Sequence, residues 1–539
     1  MERAIAYDEA TGCTLGELDP AARWVVVAPR AAQAPEVARR AGIGNPLATL
    51  GLDDPGWRAR MRSVPNEEGV LVAVDPSAWL GALEALRLLQ ARTGPFVLAP
   101  WGWDRAGGPG WSAQVEGAAT EARVIRLRLD DGVALGLVRT RRAFGSASSR
   151  GDHRRARLLG EPVGRVSGDG RAVVDPAALP VAQWRWEPPK GPLTVSATER
   201  LPEDVGRHHH VQVVAGPDAG ARAVAAQVAA CAALGAMAWV VDAPSGWEAM
   251  LGPGLLEAWR RAAASDLDDP AARERVTVRL RRAARAEHHP DAIVDGLAGA
   301  AGRGTRAQPA LSVLLPTARP AFLPHALAQV ARQRHRPLEV VLAAHGDQAA
   351  VEAARLDRSP LPDDVALTVR SVPRDRNLGQ VLQAATEAAS GELLSKIDDD
   401  DWYGPDHLTD LVDALRWTGA PLVGKPFDFV YLARQDVTLR RRPRIAEVYG
   451  TRVAGGTLTL HRADLAELGG WAPVPRQVDR RLIEAVQREG ERCYRTHSLQ
   501  YVHHRHGERH TWPVGSDYHL ARARWQRVGL AVEEAELHG

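Results

Sequence analysis

Four short strand-like runs, at residues 311–315, 338–343, 366–371 and 393–397, the first of them near-continuously apolar, are separated by stretches of helical character. Strands that are apolar throughout must be covered on both faces, so the pattern predicts an α/β fold with a parallel sheet between layers of helices. The fourth run, LLSKI, leads straight into four consecutive aspartates, Asp398 to Asp401, followed by Trp402, Tyr403, Gly404 and Pro405. Open α/β sheets bind ligands outside the carboxyl ends of their strands, and the acids stand at such an end. If the strand continues through them, Asp398 and Asp400 project to one side and Asp399 and Asp401 to the other. Four adjacent carboxylates repel unless water or a cation accompanies them. A divalent cation carrying a phosphorylated substrate meets that need. Taken alone, the run fits equally well as a solvated acidic turn ahead of the helix after Pro405.

At 539 residues the chain is long enough for several domains. We divide it into an N-terminal α/β domain of unassigned role at 1–195, a βαβ plus helical accessory domain at 196–305, and a C-terminal domain at 306–539. A net charge of +2 gives no reason to expect a nucleic-acid partner. Cys13, Cys231 and Cys493 are too few and too scattered for a disulfide framework or a cysteine metal site. The opening MERAIAYDEATG lacks a signal-peptide core, and no apolar stretch is long enough to span a bilayer. A cytoplasmic protein is expected, with peripheral membrane contact left open.

In the first domain, strands are expected at 24–28, 70–74 and 96–99, with a helix at 78–90 capped by Ser77. VIRLRL, Asp130-Asp131-Gly132 and VALGLV spell a hairpin. Residues 139–200 read as loops and a linker, and their basic stretch RRAFGSASSRGDHRR as solvated. The second domain begins with a strand at 211–215, a helix at 219–234 closed by Gly235 and a strand at 239–242. Asp269 as cap and Pro270 at the first position then open a helix that Pro290 stops. Its many arginines are expected on an exposed face. His208, His209 and His210 are consecutive and cannot all face one metal from a strand, so a polar loop is expected there. Residues 299–308 form a flexible joint.

The ordered series SVLLPTARPAFLPHAL, PLEVVLAAHGD, NLG with a following ASGE, SKIDDDDWYGPDHL, AGGTLTLHRADLAELGGW and HTW resembles the family 2 inverting glycosyltransferases, over about residues 308–515. The resemblance implies a GT-A, Rossmann-like domain. It also implies metal-dependent transfer from a nucleoside-diphosphate sugar to a hydroxyl of a carbohydrate or glycolipid acceptor, with Mg²⁺ or Mn²⁺ as cofactor. On matching positions it assigns Pro316, Thr317, Asn377 and Gly379 to the donor pocket. Asp398 and Asp400 take the cation and the donor diphosphate, and Gly455 and Gly456 the acceptor side. Asp479, in QVDRRLIEAV, matches the family's catalytic base, although Val478 replaces the usual neighbouring glutamate and a helix cap is the bland alternative. Ala344 and His345 stand where relatives carry the nucleobase-binding acid, which leaves the nucleotide open. His504, His506 or His510 is a candidate to join the metal, and Trp512 to line the acceptor side. Two other classes remain to be weighed. One is a non-catalytic nucleotide-sugar or glycan-binding module; the other, a sugar-1-phosphate nucleotidyltransferase, lacks its glycine-rich basic loop here.

Overall fold

A computed structural model describes residues 189–289, 308–506 and 515–537, less 203, 218, 356, 358, 359 and 442–445, together with strand segments and a few single positions between residues 3 and 179. In the first domain, Ala48–Gly51, Trp24–Ala28, Gly69–Val74 and Phe96–Pro100 form a parallel sheet in that order, as the apolar runs predict. Six other strands form an antiparallel sheet. It contains the expected hairpin, Ala122–Leu129 against Ala134–Thr140, with Val124 opposite Val138. The expected helix at 78–90 and the basic loop at 141–154 lie outside the described residues.

Three parallel strands, Leu193–Ser196, Val211–Val214 and Ala238–Val241, carry the buried helix Ala221–Ala233; the first of them lies in the stretch 139–200 read as loops and linker and begins before the expected boundary at 196, a correction to both expectations. His208, His209 and His210 do not form the polar loop expected: His209 reaches Asp268 and lies with its Nδ1 3.1 Å from His210 Nδ1, while His210 is buried against Trp239 at 3.7 Å between ring centroids.

The helix Pro270–His288 starts as predicted, with the Asp269 carboxylate accepting from the Ala272 N–H at 2.7 Å. Its arginines correct the expectation of an exposed face. Arg273, Arg281 and Arg285 are buried, and their helix is set into the C-terminal domain. Arg281 and Arg285 hold the buried Glu447 at 3.2 and 2.9 Å, Arg282 holds Asp410 and Asp406 at 2.6 and 2.8 Å, and Glu274 pairs with Arg440. Buried charges are tolerable only when paired in this way. Burial alone would raise the Glu447 carboxyl, but Arg281 and Arg285 hold it at about 2. Apolar residues of the same helix divide between two cores: Val276, Leu280 and Ala284 pack in the second domain, and Val278 packs with Trp402, Phe429 and Val502.

The C-terminal domain has an eight-stranded sheet in the order Val365–Val372, Leu338–His345, Leu311–Thr317, Leu393–Lys396, Thr459–His461, Val423–Gly424, Cys493–Arg495, Val448–Gly450. The first four, the strand-like runs of the sequence, are mutually parallel. Alternate residues serve opposite layers: Val313 and Leu315 pack with the helices Leu323–Ala331 and His407–Thr418, Leu314 with Leu378–Ala388 and Val478–Arg488. A smaller sheet places Trp402–Tyr403 beside Tyr501–Arg505, which brings the late histidines to the acidic run. This mixed α/β architecture, with its mostly parallel sheet, is the GT-A fold.

Candidate active site

The strand Leu393–Lys396 is buried along its whole length in the middle of the large sheet. It ends at Lys396, so the four aspartates lie in the bend that follows and do not alternate as strand residues would. They group as Asp398 with Asp401 and Asp399 with Asp400. Asp401 is fully buried and accepts from the Tyr501 hydroxyl at 2.7 Å, the His504 N–H at 2.9 Å and His503 Nδ1 at 3.0 Å. Those bonds make it the anchor of the bend. Asp399 accepts from the Thr317 hydroxyl at 2.5 Å and from the Arg319 guanidinium, which also reaches Asp400 Oδ2 at 2.8 Å. Burial lifts the Asp399 carboxyl to about 6 against the pull of Arg319. Asp398 is the most exposed of the four, with one oxygen on the Lys396 ammonium.

Lys396 was not singled out by the sequence. It is a cation at the end of an apolar strand, and its buried Nζ donates to Asp398 and to the Gly455 carbonyl at 3.1 Å. Burial disfavours its charge, but Asp398, Asp479 and Asp401 together raise its pKa.

Gly455 and Gly456 form the tight turn between the acids. A Cβ on Gly455 would lie 2.7 Å from Asp479 Oδ2, and one on Gly456 2.9 Å from Asp398 Oδ2 and 3.0 Å from Asp401 Oδ2. A side chain at either position would push these carboxylates aside. Tyr403 ties the turn down, accepting from the Asp398 N–H at 2.9 Å and donating to the Gly456 carbonyl at 2.9 Å. The structure therefore brings Lys396 and Asp398, both glycines, and Asp479 together from three separate segments.

Asp479 sits in the first turn of the helix Val478–Arg488, whose cap position is Gln477, so it is not the cap. The loop before it is clamped by two residues assigned to the donor pocket. Asn377 caps the helix Leu378–Ala388 through Gln380 N–H at 3.1 Å, and its amide donates to the Pro473 carbonyl at 3.0 Å. A Cβ on Gly379 would fall 1.8 Å from the Ala472 carbonyl. Gly469 and Gly470 turn the chain at positive φ, and Trp471 is buried with its indole N–H on Thr386 at 2.9 Å. Pro316 is buried in the sheet, paired with Ala343. Trp512 and His510 lie outside the described residues.

The donor set suits Mg²⁺ or Mn²⁺. Carboxylate oxygens are their preferred ligands, and both cations are commonly held by one or two carboxylates plus substrate phosphate and water. Asp400 Oδ2 and His506 Nε2 stand 4.0 Å apart, a separation that two ligands at about 2.1 Å from one cation span. Burial holds His504 at about 4 and also lowers His506, so both imidazoles are neutral near pH 7, the form that ligates metals. Among the described residues no three His, Cys, Asp or Glu side chains form a ready-made metal cage.

Residues 312–463 match the sequence profile of Glycosyl transferase family 2. This segment is a family 2 glycosyltransferase domain. It runs from the first parallel strand through the acidic bend and the glycine pair; Asp479 lies beyond it. Among solved structures the chain is similar to the mannosyltransferase PcManGT from Pyrobaculum calidifontis, in complex with GDP-Man and Mn2+, at 18% identity and a TM-score of 0.28, covering 36% of this chain and 56% of that one. It is also similar to S. aureus TarS 1-349 in complex with UDP-GlcNAc, at 17% identity and a TM-score of 0.30, covering 38% of this chain and 61% of that one. The chain thus spans less than two thirds of either structure. No curated protein matches it. The glycosyltransferase domain has no helix among the described residues that is long and apolar enough to cross a membrane.

Proposed function

We propose that this domain is a metal-dependent, inverting glycosyltransferase that moves a sugar from a nucleoside-diphosphate donor to a hydroxyl of a carbohydrate or glycolipid acceptor. The observation that carries the proposal is the meeting of the Asp398 and Asp479 carboxylates across Gly455 and Gly456, one on each side of a narrow turn. Asp398 and Asp400 would hold the cation, whose chemistry is to disperse charge on the departing diphosphate. Asp479 accepts the proton of the acceptor hydroxyl as its oxygen bonds to the anomeric carbon. The bond from that carbon to the diphosphate oxygen breaks, and its electron pair leaves with the diphosphate. Attack from the face opposite the leaving group inverts the anomeric centre. The glycine pair keeps side chains out of the space between base and donor, and Lys396 balances the converging carboxylates.

One observation favours a second reading, a binding module without turnover. Ala344 is buried and apolar where an acid would read the nucleobase, and the adjoining His345 has a buried Nε2 with no hydrogen-bond partner. A panel of nucleoside-diphosphate sugars with Mn²⁺, screened for a raised unfolding temperature, identifies the donor. Incubating that donor with acceptor candidates then separates the readings. Transfer supports the enzyme; binding with neither transfer nor donor hydrolysis supports the module.

A further inference from the structure

We propose that Arg319 is a donor-binding residue with two alternative sets of partners: the Asp399 and Asp400 carboxylates in the donor-free protein, and the donor's diphosphate once a divalent cation takes Asp400. The inference rests on the function proposed above and adds a residue to it.

Arg319 follows the strand Leu311–Thr317 by two residues, at the sheet edge where a ligand is expected. Its guanidinium bridges two carboxylates, with Nη2 and Nε on Asp399 and Nη1 on Asp400 Oδ2 at 2.8 Å. That Asp400 oxygen is the one facing His506 Nε2 at 4.0 Å, so the guanidinium lies on an oxygen that a cation needs. Two positive charges cannot share it without repulsion.

Lys396 and Arg319 differ in freedom. The Lys396 side chain is 7% exposed and fixed between Asp398 and Gly455, whereas that of Arg319 is 42% exposed. Arg319 rests over the Phe322 ring at 4.6 Å, and Phe322 stacks near His506. Its departure leaves Asp399 bonded to the Thr317 hydroxyl, so that buried acid keeps a partner. A guanidinium displaced at this edge finds its natural counterpart in a diphosphate, whose oxygens match its planar fork. Metal and donor then bind cooperatively: cation binding frees the guanidinium, and the diphosphate gives it a new partner.

The experiment is Mn²⁺ binding measured by electron paramagnetic resonance, first with Mn²⁺ alone and then with inorganic pyrophosphate. The proteins are the full chain and its Arg319→Gln, Arg319→Lys and Asp400→Asn variants, each checked for an unchanged unfolding midpoint. Removing the competing guanidinium should tighten Mn²⁺ binding without pyrophosphate about tenfold or more in Arg319→Gln. Pyrophosphate should strengthen Mn²⁺ binding by the parent chain more than by Arg319→Gln. Arg319→Lys, which cannot bridge two carboxylates, should shift the same way by less and serves if the glutamine variant fails to fold. Equal Mn²⁺ affinity in parent and Arg319→Gln overturns the proposal while leaving the metal site standing. Parent-like Mn²⁺ binding by Asp400→Asn with pyrophosphate overturns the metal assignment itself, and this inference with it.

Discussion

Lys396 and Asp479 meet at Gly455: the Lys396 ammonium donates to the Gly455 carbonyl at 3.1 Å, and a Cβ on the same glycine would fall 2.7 Å from Asp479 Oδ2. Gly455→Ala should therefore displace the Asp479 carboxylate while costing little stability, because the atom that must give way ends a side chain. Sugar transfer should drop by about tenfold or more, since small misplacements of a reacting group are costly. Initial rates at saturating donor, set beside unfolding midpoints, check it. An unchanged rate places Asp479 outside the chemistry.

Gly379→Ala should act in the opposite sense, on stability first. Its Cβ would lie 1.8 Å from the Ala472 carbonyl, a backbone atom that cannot rotate away. A loss of about 1–3 kcal/mol is expected, as for other overpacked sites. Urea unfolding measures it, and a midpoint equal to the parent's would mean that the loop before Asp479 yields freely.

Asp400→Asn and Asp401→Asn should separate binding from folding, although the residues adjoin. Asp401 is fully buried with three donors, so its asparagine variant should lose about 2 kcal/mol or more of stability. Asp400→Asn should keep its unfolding midpoint and lose Mn²⁺-dependent donor binding, read by calorimetry with and without EDTA. Parent-like donor binding in Asp400→Asn would remove this carboxylate from the metal site.

Glu447 makes the joint between the second and C-terminal domains sensitive to acid. It is held at about 2 in the folded protein against an ordinary value of 4.5. The stability it contributes is complete above about pH 4.5 and is lost as the pH falls through 2. Its side chain is 1% exposed, and the shift corresponds to about 3 kcal/mol at neutral pH. The difference in urea midpoint between the parent and Glu447→Gln should be widest near pH 7 and shrink towards pH 2. A difference independent of pH would contradict the pairing with Arg281 and Arg285.

The parallel sheet was legible from its apolar-rich runs and the helical stretches between them, although the strand Val365–Val372 carries Thr368, Arg370 and Ser371 on exposed positions; the helix at 270 was legible because Asp269 and Pro270 announce it. Asp479 was found through the resemblance, and the structure adds that it faces Gly455. The grouping of the aspartates was not legible, because it depends on the strand ending at Lys396 rather than running on through the acids. Nor was the burial of Arg281 and Arg285, whose partner Glu447 lies far along the chain on the edge of another sheet. Arg319 and Lys396 escaped for a related reason: a single basic residue carries no spacing signal, and only folding shows which carboxylates it meets.

The central claim is that Asp479 performs proton transfer in a working glycosyltransferase. The most direct measurement compares Asp479→Asn with the parent chain for donor binding and for sugar transfer, using the donor found by thermal screening. The account predicts donor affinity within about twofold and transfer reduced by about a hundredfold or more, the contribution usual for a general base. Transfer at the parent rate by Asp479→Asn would contradict it.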